Sequence, residues 1–178
     1  MQVMGVSGLP GSGKSLVSDI ASERGAVIVS MGDIVREEAK KRGESSKETA
    51  KNLRAEHGKY IVSELTVKKI KQLQKEGIDK ILVDGIRSPP EVDMFKENFD
   101  NFIIVSVFAN PQIRFERLKN RMREDDSTDY AEFKARDYSE LGFGIGDVIS
   151  LSDKLIINES DLDSCRAKIN EFFDEINL

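Results

Sequence analysis

The 178-residue chain has no tryptophan, one histidine (His57), one cysteine (Cys165) and four prolines. Aromatic residues make up 7% of it. With so few rings, a stacking platform for single-stranded nucleic acid is disfavoured. One cysteine excludes an internal disulfide and a cysteine-rich metal site, and one histidine excludes a histidine cluster. Cys165 sits on an apolar helical stripe and is expected in the core. No apolar run approaches the roughly 18 residues of a membrane span, and the first residues do not read as a secretory signal. A cytoplasmic protein is the expectation.

Charge is plentiful but uneven. The net charge is -5, which argues against direct DNA binding and against broad nucleic-acid coating. Residues 36–76 nevertheless carry twelve Lys or Arg against seven Asp or Glu. That stretch reads either as solvated helix faces or as the border of an anionic ligand.

Short apolar runs alternate with amphipathic stretches. Residues 3–6, 26–29, 81–83, 103–108 and 155–157 read as strands. The run Ile103 to Phe108 is barely alternated, as in a strand buried on both faces. Helices are expected over 14–24, from 33 to about 42, from 45 to 76 with a break near Gly58, from 111 to about 121, and from 160 onward. Asp33 is the expected cap of the second helix, Ser45 with Glu48 a capping box for the third, and Ser160 with Asp163 the opening of the last. The alternation implies a parallel α/β sheet with crossover helices. Residues 31–76 are too long for a simple crossover and read as a helical insertion. Residues 122–150, polar and carrying Gly142, Gly144 and Gly146, read as a second insertion and a mobile flap.

Residues Gly8-Leu9-Pro10-Gly11-Ser12-Gly13-Lys14-Ser15 form a complete Walker A pattern, with a strand before it and a helix after it. Glycines let backbone N–H groups turn toward phosphate oxygens, and the helix N-terminus adds free donors. Lys14 suits the β- and γ-phosphates of ATP, and the Ser15 hydroxyl suits Mg²⁺. A glycine-rich turn that only reverses the chain would not need the Lys-Ser ending.

Ligands of such sheets gather beyond the carboxyl ends of the strands. Gly32, Asp33 and Arg36 follow the second strand, and Asp84, Gly85 and Arg87 end the third. Asp84 is a candidate Mg²⁺ ligand or acceptor of a hydroxyl proton. Arg36 falls in the expected first turn of a helix, where a cation opposes the dipole, and so suits a bound phosphate. Arg54 is a weaker acceptor-side candidate, and His57 reads as a surface residue. Arg114, Arg117 and Arg121 share a helix face, and Arg123 and Arg136 follow. Guanidinium groups of this kind stabilise the charge that spreads over a transferring phosphoryl group. Arg114 alone reads as part of a solvated face. Asn158 follows the fifth strand, at the rim where a nucleobase meets such sheets.

Taken together, these motifs resemble the adenylate kinase-related family of nucleoside monophosphate kinases. They are most similar to an archaeal branch described as similar to dephospho-coenzyme A kinases. The likeness covers nearly the whole chain. Walker A is shared by P-loop proteins broadly. Gly32 to Arg36, Asp84-Gly85-Ile86-Arg87 and Arg117 through Arg123 carry the specific part. The resemblance implies a five-stranded parallel core with helices on both faces, an acceptor-binding insertion at 31–76 and a lid at 122–150. It implies Arg36 and Arg87 on the acceptor phosphate, and Lys14, Arg117, Arg121, Arg123 and Arg136 around the transferred group. The segment near Asn158 would line the adenine. Three features depart from the family pattern. Asp84-Gly85-Ile86-Arg87 is one residue shorter than the usual Asp-Gly-Phe-Pro-Arg, the 122–150 segment has no cysteines to brace it with zinc, and its run Gly142-Phe143-Gly144-Ile145-Gly146 is not the ordinary adenylate kinase lid sequence. The expected activity is transfer of the ATP γ-phosphate to a nucleotide-like acceptor, AMP first. The alternatives are phosphorylation of a hydroxyl, as in dephospho-coenzyme A, and a nucleotide-binding module acting through a protein or RNA partner.

Overall fold

The computed structural model describes residues 1–121 and 128–178. Five strands form one sheet: β1 (Gln2–Ser7), β2 (Val27–Ser30), β3 (Lys80–Asp84), β4 (Ile103–Phe108) and β5 (Lys154–Ile157). Their spatial order is β2-β3-β1-β4-β5, and every neighbouring pair is parallel. β1 is central, and the strand order reverses around it. A crevice therefore opens beyond the carboxyl ends of β1, β3 and β4. The register aligns those ends, with Val6 beside both Asp84 and Val105, and Ser30 beside Asp84.

Successive strand residues point to opposite faces, so β1 feeds two cores. Met4 and Val6 join Val105, Val107, Ile169 and Phe173 on the face covered by α1 (Lys14–Glu23) and α9 (Leu162–Glu175). Cys165 is buried there, as expected. Val3 joins Ile81, Val83, Ile104 and Phe95 on the other face. That face is covered by α4 (Ile61–Lys75), α5 (Pro89–Asn98) and α8 (Ile145–Ser150). Phe95 and Phe102 stack there with ring centres 5.4 Å apart. Burying each such ring contributes about 2–3 kcal/mol.

Three helices separate β2 from β3: α2 (Met31–Arg42), α3 (Ser46–His57) and α4. The capping box forms as expected, with Ser45 accepting from the Glu48 amide and Glu48 accepting from Ser45. α2 starts earlier than expected. Ser30, the last residue of β2, is its cap and accepts from the Asp33 amide. Asp33 thus lies inside the first turn, and Arg36 falls beyond that turn. The last helix is likewise capped by Asp161, which accepts from the Ser164 amide, and not by Ser160.

The segment after β3 holds an unexpected helix. Pro89 and Pro90 open α5, because proline at the first helical turn sacrifices no hydrogen bond. Ser88 and Glu91 make its capping box. α6 (Pro111–Arg121) starts where expected, with Asn110 accepting from the Ile113 amide. Residues 128–150, read above as part of a flap, contain α7 (Tyr130–Leu141) and α8. Among the described residues, no helix is long and apolar enough to cross a membrane.

Candidate active site

β1 stops at Ser7 and α1 starts at Lys14, so residues 8–13 must wrap around a small space. Gly8, Gly11 and Gly13 all have positive φ, at 150°, 80° and 96°. L side chains rarely adopt such angles. Space excludes them as well. A Cβ at Gly8 would lie 2.5 Å from the Val107 carbonyl oxygen, one at Gly11 2.6 Å from that of Arg114, and one at Gly13 2.2 Å from Asn158 Nδ2. The loop is thus pressed from outside by β4, by α6 and by the residue that follows β5.

Side chains grip the loop's carbonyl groups. Lys14 Nζ donates to Gly8 O at 2.8 Å, and Arg114 Nη1 donates to Pro10 O at 3.0 Å. Asn158 Nδ2 donates to Ser12 O at 2.9 Å, and Arg117 Nη2 donates to Asn158 Oδ1 at 3.4 Å. Asn158 is itself buried, and its amide donates to Phe108 O at 2.8 Å. Its side chain is therefore committed to the loop.

The other side of the loop faces a cavity of ≈ 460 Å³. Gly8, Pro10, Gly11, Gly13, Lys14 and Ser15 supply one part of its wall. Ser30 and Gly32 from the β2–α2 junction, and Asp84, Gly85 and Arg87 from the end of β3, supply more. Six cationic side chains line it: Lys14, Arg36, Arg87, Arg117, Arg121 and Arg136. Among the described residues, only two carboxylates, Asp84 and Glu140, oppose them. An excess of four positive charges in one cleft attracts a polyanion.

Burial lowers the Lys14 pKa below its ordinary 10.5; Asp84 pulls it back up, and Arg87 pushes it further down. An incoming anion would raise it again. One oxygen of Asp84, Oδ1, is buried with no hydrogen-bond partner. Arg36 is held by Asp33, through Nε to Oδ1 at 2.9 Å and through Nη2. Arg87 pairs with Glu140 at 3.4 Å.

Most of the sequence-derived residues come together, but not all. Leu9, Ser12, Asp33, Arg54 and Asn158 are outside the lining. Arg54 is on α3, exposed, and donates to Ala50 O in its own helix. His57, at the end of that helix, is exposed. Arg123 lies outside the described residues, as do Asp125 and Asp126.

Arg114 contradicts the reading of a solvated face. Its side chain is 3% exposed, and it forms a two-pronged ion pair with Asp137 of α7. The helix spacing of arginines does not reveal this, because the partner is 23 residues away. Glu140 also escaped the sequence reading. Its signal is the i, i+4 spacing from Arg136, which puts both on one face of α7.

Comparison with known proteins fits this geometry. A family model described as an AAA domain matches residues 7–134. A UPF0200 protein of Methanothermobacter thermautotrophicus is 51% identical over 162 residues, covering 91% of this chain and 84% of that protein. The chain belongs to the UPF0200 family. A UPF0200 protein of Hyperthermus butylicus is 45% identical over 168 residues, with 92% and 88% covered. Among solved structures, shikimate kinase from Bacteroides thetaiotaomicron matches this UPF0200 chain with a TM-score of 0.65. That match covers 99% of both chains at 11% identity. At such identity the likeness is one of fold alone: a five-stranded parallel sheet with helices on both faces.

Proposed function

We propose that this chain transfers the γ-phosphate of ATP to a nucleoside monophosphate or related nucleotide-like acceptor, with AMP the first choice. One observation carries the reading. A single cavity joins a complete Walker A loop to five arginines drawn from α2, the β3–α5 connection, α6 and α7. A switch or a scaffold needs the loop, but it has no use for five guanidinium groups beside it.

In this reading the loop and Lys14 hold the phosphates of ATP. Arg36 and Arg87 hold the acceptor's phosphate, which requires each to exchange its present carboxylate for the ligand. Arg117, Arg121 and Arg136 neutralise charge as the phosphoryl group moves. A monophosphate is already a nucleophile at neutral pH, so no strong base is required. Ser15 and Asp84 fit a magnesium ion. Both offer hard oxygen donors, and the buried Oδ1 of Asp84 lacks a hydrogen-bond partner. When bound, the ion neutralises the β- and γ-oxygens. The motif resemblance to adenylate kinase-related enzymes supports the choice of acceptor.

The same Asp84 oxygen favours a second reading, a hydroxyl acceptor whose proton Asp84 takes. That is the chemistry implied by the resemblance to dephospho-coenzyme A kinases. The two readings separate in one experiment. The chain is incubated with ATP, Mg²⁺ and a panel of nucleoside monophosphates and hydroxyl compounds, and products are weighed by mass spectrometry. A new diphosphate supports the first reading and a new phosphate ester the second. Free phosphate alone, at a rate indifferent to every acceptor, contradicts both.

A further inference from the structure

α7 presents two stripes to the rest of the protein. Phe133 and Asp137, four residues apart, are its buried positions. Arg136 and Glu140, also four apart, line the cavity. Adjacent helical residues diverge by about 100°. Whatever fixes Asp137 therefore fixes where Arg136 and Glu140 point.

Arg114 fixes Asp137. Its two terminal nitrogens reach both carboxylate oxygens, with Nη1 to Oδ1 at 2.8 Å. Nη1 also donates to Pro10 O at 3.0 Å, and Nε donates to Ala109 O at 3.1 Å. The guanidinium lies 5.0 Å from the centre of the Phe133 ring. Its backbone presses on the phosphate loop too, because a Cβ at Gly11 would meet the Arg114 carbonyl oxygen. One side chain thus touches the loop, the end of β4 and the cavity-forming helix.

We propose that Arg114 and Asp137 are a positioning pair, a clasp that registers α7 against the phosphate loop and so sets Arg136 and Glu140 in the cavity. A planar guanidinium gripping a carboxylate with two parallel bonds allows one relative orientation, which an apolar contact does not impose. The aromatic contacts of Phe115 with Tyr130 and Phe133 hold α7 close to α6. The clasp sets its rotation. Neither residue lines the cavity, so the pair acts through others. Its kinetic consequence rests on the proposed phosphotransfer; its structural consequence does not.

Two variants test it. Asp137→Asn keeps the shape and removes the charge. Amide exchange over residues 130–141 should then quicken by about tenfold or more, with β1 and β3 unchanged. The paired variant Arg114→Met/Asp137→Leu replaces a buried ion pair by apolar volume, which folded proteins commonly tolerate. It should melt close to wild type, yet transfer phosphate about 100-fold more slowly at saturating ATP. A merely structural pair would recover transfer along with stability. Unchanged exchange in Asp137→Asn, or transfer within about threefold of wild type in the paired variant, overturns the clasp. If Asp137→Asn does not fold, the paired variant decides. If the wild-type chain transfers to no acceptor, the proposed function falls and the exchange measurement decides the clasp alone.

Discussion

Arg87, three residues past the end of β3, and Glu140, in the last turn of α7, pair at 3.4 Å inside the cavity. The Glu140 side chain is 16% exposed and that of Arg87 51%. A carboxylate in that position competes with any anion for the guanidinium. Asp33 does the same to Arg36 on α2. Both arginines proposed to hold the acceptor are thus paired within the protein, and an anion would have to displace the carboxylates.

Neutralising the competitor should help the ligand. Glu140→Gln is expected to tighten binding of AMP or inorganic phosphate by about three- to tenfold, or about 1 kcal/mol, the worth of a partly exposed ion pair. Titration calorimetry measures this directly. Weaker or unchanged binding would mean that Glu140 does not compete with the acceptor.

Arg87→Ala should separate the two substrates. A charge-assisted hydrogen bond contributes about 1.5–3 kcal/mol, so the acceptor KM should rise about 10- to 100-fold. ATP affinity should stay within about threefold of wild type. Loss of ATP affinity with acceptor affinity intact would show that the two ends of the cavity have been assigned in reverse.

Gly13 and Asn158 should be energetically coupled. A Cβ at Gly13 would strike Asn158 Nδ2, and its φ of 96° disfavours any L residue. Gly13→Ala therefore carries a conformational cost of about 1–2 kcal/mol and a steric cost of about 1–3 kcal/mol. Asn158→Ala alone should cost about 1 kcal/mol, through loss of its bond to Ser12 O. In the Asn158→Ala background only the conformational part of the Gly13→Ala cost should remain. Denaturant unfolding of the four chains gives the cycle, and strict additivity would contradict the contact.

Lys14 should impose a pH dependence. Its folded pKa lies below the unfolded 10.5, with burial the main cause. The folded chain therefore sheds this proton before the unfolded chain does. Stability from this group rises with pH between those two values and levels off above 10.5. Anion binding runs the opposite way, since it needs the charged form: ADP affinity should decline as pH climbs toward 10.5. Lys14→Met should bind ADP more weakly and flatten both slopes. A steep decline surviving in Lys14→Met would assign the titration elsewhere.

The sheet and the phosphate loop were legible because local rules fix them. Five short apolar runs became five strands, and the glycines at 8, 11 and 13 take positive φ in the loop. The Ser45–Glu48 box was legible for the same reason. The errors have physical causes. Ser30 reads as a strand residue, yet it also caps α2, because β2 runs into that helix without a loop. Two prolines concealed α5, although proline is well suited to a helix start. Phe133 and Asp137 are set among many charges, so their inward-facing stripe was lost in a polar segment. The burial of Arg114 depends on a partner on another helix, and no local pattern encodes that. The side chain of Asn158, the residue at the rim where a base is expected, is bound to the loop through Ser12 O.

The most direct test of the account is a single-turnover reaction with ATP labelled in its γ-phosphate, excess enzyme, Mg²⁺ and AMP. The account predicts that the label appears in the β-phosphate of newly formed ADP, and that Lys14→Ala abolishes this. Label recovered only as inorganic phosphate, at the same rate with and without AMP or any other acceptor, would contradict it.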